Sequence, residues 1–111
     1  MTARVKTGIW VAAYVRRCAA SGAAAFIAAK GDPDAGAVLV KIATLDGQAR
    51  LLLPSRDLEG RSVWRTAKAG AETDVDAYAA RERQIDSDLW IVEVEDKDGR
   101  HFLTEPVEDD I

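Results

Sequence analysis

Apolar residues recur at two different spacings along this chain, and the spacings mark out its elements. Trp10, Tyr14 and Cys18 stand four residues apart, with Val11 and Val15 beside them. That periodicity predicts an amphipathic helix over Gly8 to Ala20. Thr7 is placed to be its N-cap and Gly22 the residue just past its end, with Arg16 and Arg17 near the pole that favours cations. From Ala37 to Leu45 the chain is nearly all apolar, Asp46-Gly47 supplies a two-residue hairpin turn, and Gln48 to Leu53 returns antiparallel. With Leu45 opposite Gln48, Ile42 faces Leu51 and Val40 faces Leu53. Lys41 and Arg50 then fall on a partly wet face.

Shorter patterns fill the intervals. Ala24 to Ala29 reads as a strand whose only large residues are Phe26 and Ile27, and Gly31 to Gly36 as a turn held by Pro33. Pro54 is expected to stop the second hairpin strand, Ser55 to Arg61 to form a loop, and Ser62 to Ala67 a short strand around Trp64. Thr73 opens a second helix with Asp74 and Asp76 in its first turn, buried on its Val75, Tyr78, Ala79 and Ile85 side. In Leu89 to Glu95, alternation puts Trp90, Val92 and Val94 on one face of a strand. Asp98-Gly99 then turns into Arg100 to Thr104, setting Asp96 opposite His101. Residues 105–111 are expected to be a frayed acidic tail. The fold class that follows is α+β, two-layer: a mainly antiparallel sheet of five or six strands with two helices packed on one face. Ser62 to Glu95 can add a parallel, right-handed crossover.

At 111 residues the chain is expected to form a single domain, 1–111, and its 48% hydrophobic content is enough for a core without metal or disulfide. Cys18 is the only cysteine, so no internal disulfide can form, which fits a reducing, cytoplasmic setting. Arg16 and Arg17 interrupt the apolar run Ile9 to Val15, which argues against a signal peptide, and the Ala-rich stretch after it is too weakly apolar to span a bilayer. Charge is segregated. Residues 1–30 carry five bases (Arg4, Lys6, Arg16, Arg17, Lys30) and no acid, whereas residues 86–111 carry ten acids against Lys97 and Arg100.

Three blocks carry a family resemblance: Lys6 to Tyr14 (KTGIWVAAY), Gly31 to Lys41 (GDPDAGAVLVK) and Asp86 to Glu93 (DSDLWIVE). On these the chain resembles a small alphaproteobacterial family of uncharacterised proteins, domain of unknown function 1491. The resemblance covers nearly the whole chain and implies a free-standing bacterial protein of about this length. It brings no activity, cofactor or catalytic residue with it.

Candidate chemistry is thin. Asp96, Asp98, Gly99 and Glu105 match four positions of a calcium loop, but Val94 stands where its first carboxylate belongs and the preceding segment alternates like a strand. Asp96 and His101 could act as base and orienter, although a cross-strand charge pair is the commoner meaning. Asp32 and Asp34 would repel phosphate at the Gly31–Gly36 turn and could meet a cation instead. Cys18 shares the face of Trp10 and Tyr14, which reads as a buried, inert thiol. Arg4, Arg16 and Arg17 are the candidate anion-binding residues. A nucleic-acid reading would add Lys6, Lys41, Arg50 and Arg65, but lacks interleaved aromatics. Leu39, Leu52 and Trp64 are the candidate partner-binding residues, on the expectation that they face outward. No catalytic set, metal site or cofactor is assigned. The favoured reading is a non-enzymatic domain acting through protein contacts or self-association. A metal-dependent hydrolase using carboxylates is the alternative, and weak nucleic-acid binding by the basic helix comes after it.

Overall fold

The computed structural model describes residues 5–108. Its elements are α1 (Thr7–Ala20), β1 (Ala24–Ala29), β2 (Val38–Ala43), β3 (Gln48–Arg56), β4 (Ser62–Ala71), α2 (Glu72–Ile85) and β5 (Trp90–Glu95). The strands form one sheet in the order β1-β5-β2-β3-β4. The β5–β2 pair is parallel and the rest are antiparallel. This is the expected α+β class: a mostly antiparallel sheet with two helices packed against it.

The placement of those helices differs from expectation. They cover opposite faces of the sheet, not one. Alternate residues of β2 and β5 divide between two cores. Val38, Val40, Ile42, Trp90, Val92 and Val94 pack with Val11, Tyr14 and Cys18 of α1. Leu39, Ala43 and Ile91 pack with Val75 and Ala79 of α2. Every residue of β2 is buried. A strand that is apolar on both sides needs a cover on each, so a second helix beside the first would have left one face wet.

Helix α1 is tied down at both ends by backbone. Lys6, not Thr7, is the N-cap residue. The amides of Thr7 and Gly8 donate to the carbonyls of Asp34 and Pro33, and the Thr7 hydroxyl donates to Gly36 O. At the other end Gly22 adopts φ 91°, its amide donates to Ala19 O, and the Ala23 amide donates to Cys18 O. These two bonds make a Schellman closure, with glycine in the left-handed position such a closure favours.

The β2–β3 hairpin is displaced by one residue from the expected register: Val40 pairs with Leu52 and Ile42 with Arg50. The Thr44 amide donates to Gln48 O, so Leu45, Asp46 and Gly47 form a three-residue loop in which Leu45 and Gly47 take positive φ. Asp46 holds it by accepting from the Thr44 hydroxyl and the Gln48 amide. The shift sends Leu51 to the α2 core and Leu52 to the α1 core. Pro54 does not end β3, which continues to Arg56. The β2–β3 ladder stops at Leu52, so Pro54 pairs only with Trp64 of β4 and its missing donor breaks no central bond.

The expected closing hairpin, Arg100 to Thr104, does not form. β5 already has β1 on one edge and β2 on the other, so no edge remains for a following strand. Instead the chain crosses the α1 face as a strap. Tyr14 Oη donates to His101 O, Arg17 Nε donates to Phe102 O (2.8 Å), and the Trp64 amide donates to Pro106 O (2.9 Å). Residues 105–108, expected in a frayed tail, therefore lie against β4, where the Glu108 amide donates to Trp64 O (2.8 Å). Residues 109–111 lie outside the described part. In α2, Ile85 is 82% exposed, contrary to its expected place on the buried side, because it is the last residue of the helix and projects past the sheet contacts. No helix among the described residues is long and apolar enough to cross a membrane.

Candidate functional site

The arrangement most suited to receiving another molecule is an aromatic trough on the α1 side. Trp10, on the first turns of α1, stacks on Tyr14 one turn later, with ring centroids 5.1 Å apart. Its ring also stacks on Trp64 of β4, at 5.9 Å. Spacing of four residues puts Trp10 and Tyr14 on one helix face, and Pro54 lies across the ladder from Trp64. Two hollows of about 450 and 390 Å³ adjoin there, with Trp10, Pro54 and Trp64 in the walls of both. Thr7 and the chain from Asp34 to Val38 wall the larger hollow; Arg56, Ser62 and Glu105 wall the smaller.

Each hollow has an acidic group in its wall. Asp34 lies 3.7 Å from Lys6, both exposed. Glu105 accepts from the Trp64 indole N–H at 3.1 Å. Burial pushes the Glu105 carboxyl up, but that indole donor and the Thr104 hydroxyl outweigh it and hold its pKa below the ordinary range. The Arg56 guanidinium is engaged by Gly60 O at 2.8 Å.

The sequence-predicted residues do not gather in one place. Leu39 is buried beneath α2, Leu52 lies wholly inside the α1 core, and Trp64 is buried except where it floors the trough. They form no exposed apolar patch. Arg4 lies outside the described residues. Arg16 is exposed, while Arg17 turns in to donate to Phe102 O and lies 5.4 Å from the Tyr14 ring centroid. Adjacent helix residues point about 100° apart, so the two do not converge.

Each candidate reactive group is otherwise occupied. Cys18 is buried, and desolvation raises its pKa, keeping the thiol protonated. His101 does not face Asp96 across a ladder. Its Nδ1 accepts from the Leu103 amide at 3.0 Å, and burial followed by Arg50 lowers its pKa. Asp96 is held by Arg100, whose Nη2 donates to Oδ1 at 2.8 Å and whose amide donates to Oδ2 at 2.8 Å. The bond to the Arg100 guanidinium lowers the Asp96 pKa to about 2. Asp32 Oδ2 accepts from the Ala35 amide. Among the described residues no three His, Cys, Asp or Glu side chains converge to hold a metal ion. The glycines of the Gly31–Gly36 turn serve close packing: a Cβ on either would stand 2.1 or 2.2 Å from Asp88 O, which accepts from the Asp32 amide.

Sequence reasoning missed one cluster. Lys41, expected on a partly wet face, is 3% exposed. Its ammonium contacts Asp76 at 2.6 Å, Glu72 at 2.7 Å and Glu93 at 3.2 Å. Burial alone would lower its pKa, but the bonds to Asp76, Glu72 and Glu93 raise it above the ordinary lysine value. The signal was a lone charge inside the run Val38 to Ala43, with acids four residues apart at 72 and 76 able to reach it from one helix face. The parallel pairing of Lys41 with Glu93 was not legible, because it depends on β5 entering the middle of the sheet.

A family model described as "Protein of unknown function (DUF1491)" matches residues 5–104. The crystal structure of a DUF1491 family protein from Caulobacter crescentus is 50% identical, covers 95% of this chain and 100% of its own, and superposes with a TM-score of 0.87. An NMR structure of a DUF1491 family protein from the same organism, also 50% identical, covers 96% of this chain and 99% of its own, with a TM-score of 0.83. A protein from A. tumefaciens, solved in solution, is 33% identical over 84% of this chain and 86% of its own, with a TM-score of 0.70. None of the curated proteins matches the chain.

Proposed function

The chain belongs to the DUF1491 family of proteins of unknown function, and on that premise we propose that it is a non-enzymatic protein-interaction domain. Its trough receives an extended, proline-bearing, basic segment of a partner protein. The observation that carries this reading is the pair of stacked indoles, Trp10 and Trp64, with Pro54 beside them in the walls of two adjoining hollows. Aromatic-lined grooves bind polyproline-type segments cheaply in entropy, because the segment is already extended. Asp34, exposed beside Lys6 in the wall of the larger hollow, and Glu105, across from Arg56 in the smaller, are the carboxylates that a basic side chain flanking the proline would meet. A deep, closed cleft with convergent acid–base groups would favour an enzyme, but here Cys18, His101, Asp96 and Lys41 are each committed to packing or pairing.

A titration with synthetic decapeptides containing proline and arginine, read by tryptophan fluorescence, tests the proposal. Saturable quenching that is lost in Trp10→Ala and weakened by salt is the expected result. Unchanged fluorescence across the whole peptide series overturns it.

A further inference from the structure

The strap across the α1 face has a backbone irregularity at its first bend. Phe102 adopts φ 58°, a conformation that a residue with a Cβ keeps only where its surroundings hold it. Bonds lie on both sides of it. Tyr14 Oη donates to His101 O, Arg17 Nε donates to Phe102 O, and the Leu103 amide donates to His101 Nδ1 at 3.0 Å. The first two end on backbone carbonyls, which do not titrate near neutrality. The third ends on a ring nitrogen that accepts only while it carries no proton.

We propose that His101 is an acid-sensitive latch: neutral, it holds the strap in place, and protonated, it releases residues 101–108 from α1 and β4. A proton on Nδ1 turns an acceptor into a donor facing the Leu103 N–H, and it adds a cation to the bend. Release frees the Trp64 amide and carbonyl, otherwise bonded to Pro106 and Glu108, and uncovers the packed sides of Phe102, Leu103 and Val107. The latch does not depend on what the trough receives, because it operates in the protein alone.

The surroundings oppose a charged ring. Arg50 of β3 lies on the α1 side of the sheet, as do Leu52 two residues on and its ladder partner Ile42. Arg17 is a further cation at the bend, whereas Arg100 is bonded to Asp96 and feels Asp98 beside that pair. Tyr14 and Cys18 of α1 stay neutral, since burial raises both pKa values. Burial and then Arg50 hold His101 below its ordinary 6.5. The neutral ring therefore contributes in full above 6.5, and its contribution is lost as pH falls through the lowered folded value. His101 is the chain's only histidine, and Glu105 of the strap has a pKa held below the carboxylate range, so the ring titrates there without either.

Histidine ring shifts and amide exchange of the full chain, followed by NMR from about pH 8 to about pH 5, test the latch. The ring should titrate below 6.5. Through that midpoint, protection at Leu103, Trp64 and Glu108, corrected for the intrinsic rate at each pH, should fall about fivefold, as for one ordinary hydrogen bond lost. Amides of α2 should keep their protection. Arg50→Gln should move the ring and amide midpoints together to higher pH. His101→Gln, which cannot titrate, should abolish the pH dependence at all three amides. If His101→Gln does not fold, the joint shift in Arg50→Gln carries the test. Protection in the unaltered chain that ignores pH, a fall that survives His101→Gln, or a ring midpoint unmoved by Arg50→Gln overturns the proposal.

Discussion

One sheet is closed on its two faces by different physical means. On the α1 side the cover is aromatic: Tyr14, Trp64 and Trp90 are buried, Trp10 stacks on Tyr14 and Trp64, and a C-terminal strap is pinned by carbonyls that accept from Tyr14, Arg17 and Trp64. On the α2 side the apolar core is smaller, built on Leu39, Leu51, Val75, Ala79 and Ile91. Beside it a lysine is taken out of water among three carboxylates. The difference teaches that burial, not charge pattern, decides where a cover goes. A charge under the cover is tolerated when its partners are brought along.

The largest effect expected is from Trp64→Ala, which empties the floor of the aromatic cover and removes the indole donor to Glu105, leaving it the Thr104 hydroxyl. A loss of about 4 kcal/mol in urea unfolding is expected. A loss under 1 kcal/mol would mean the α1 cover is not held by its aromatic stack.

Next comes Lys41→Met, which keeps the volume and removes the cation that pairs with Glu72, Asp76 and Glu93. Because Glu72 and Asp76 are 34% and 55% exposed, part of the penalty is relieved by water, and about 2 kcal/mol is expected at neutral pH. The folded-state pKa of Lys41 is raised, so its contribution is complete below the unfolded value near 10.5 and lost as pH rises through the higher folded value. Unfolding midpoints of the unaltered protein should therefore fall in strong alkali, and those of Lys41→Met should fall less. Parallel alkaline curves for the two proteins would show that the cluster is not coupled to folding.

Tyr14→Phe removes only the hydroxyl that pins the strap at His101 O, and about 1 kcal/mol should be lost. Amide exchange should quicken over residues 101–107 and stay unchanged in α2, which separates a local strap effect from a general loosening.

The smallest effect concerns acid. Asp96 has a pKa of about 2 against an ordinary value of 3.8, so its pairing with Arg100 contributes stability above the ordinary value and loses it as pH falls toward 2. Asp96→Asn should flatten that part of the acid titration of unfolding and leave the alkaline part, where Lys41 acts, as it was.

Local signals are legible where one strand or helix settles its own outcome. The bounds of β1 match expectation, α1 and β5 begin within one residue of theirs, and the buried state of Cys18 followed from the helical face it shares with Trp10 and Tyr14. The hairpin after β2 is displaced by one residue from the register that a two-residue Asp46-Gly47 turn predicts, because Leu45 adopts positive φ and joins the loop. Trp64 was legible as important but not as the floor of a trough, since its neighbour Trp10 is 54 positions away in sequence.

Periodicity, turn chemistry and composition by themselves determined the two helices, the approximate places of the five strands and the α+β class, because each depends on residues within a turn or two of one another. Tertiary structure alone decided that β5 slots between β1 and β2, and the rest follows from that insertion. It uses both edges of β5, turns the expected last strand into a strap, sets Glu93 beside Lys41 and leaves β1 with one open side. Pairing partners are chosen by competition among all strands at once, and no single segment carries the outcome.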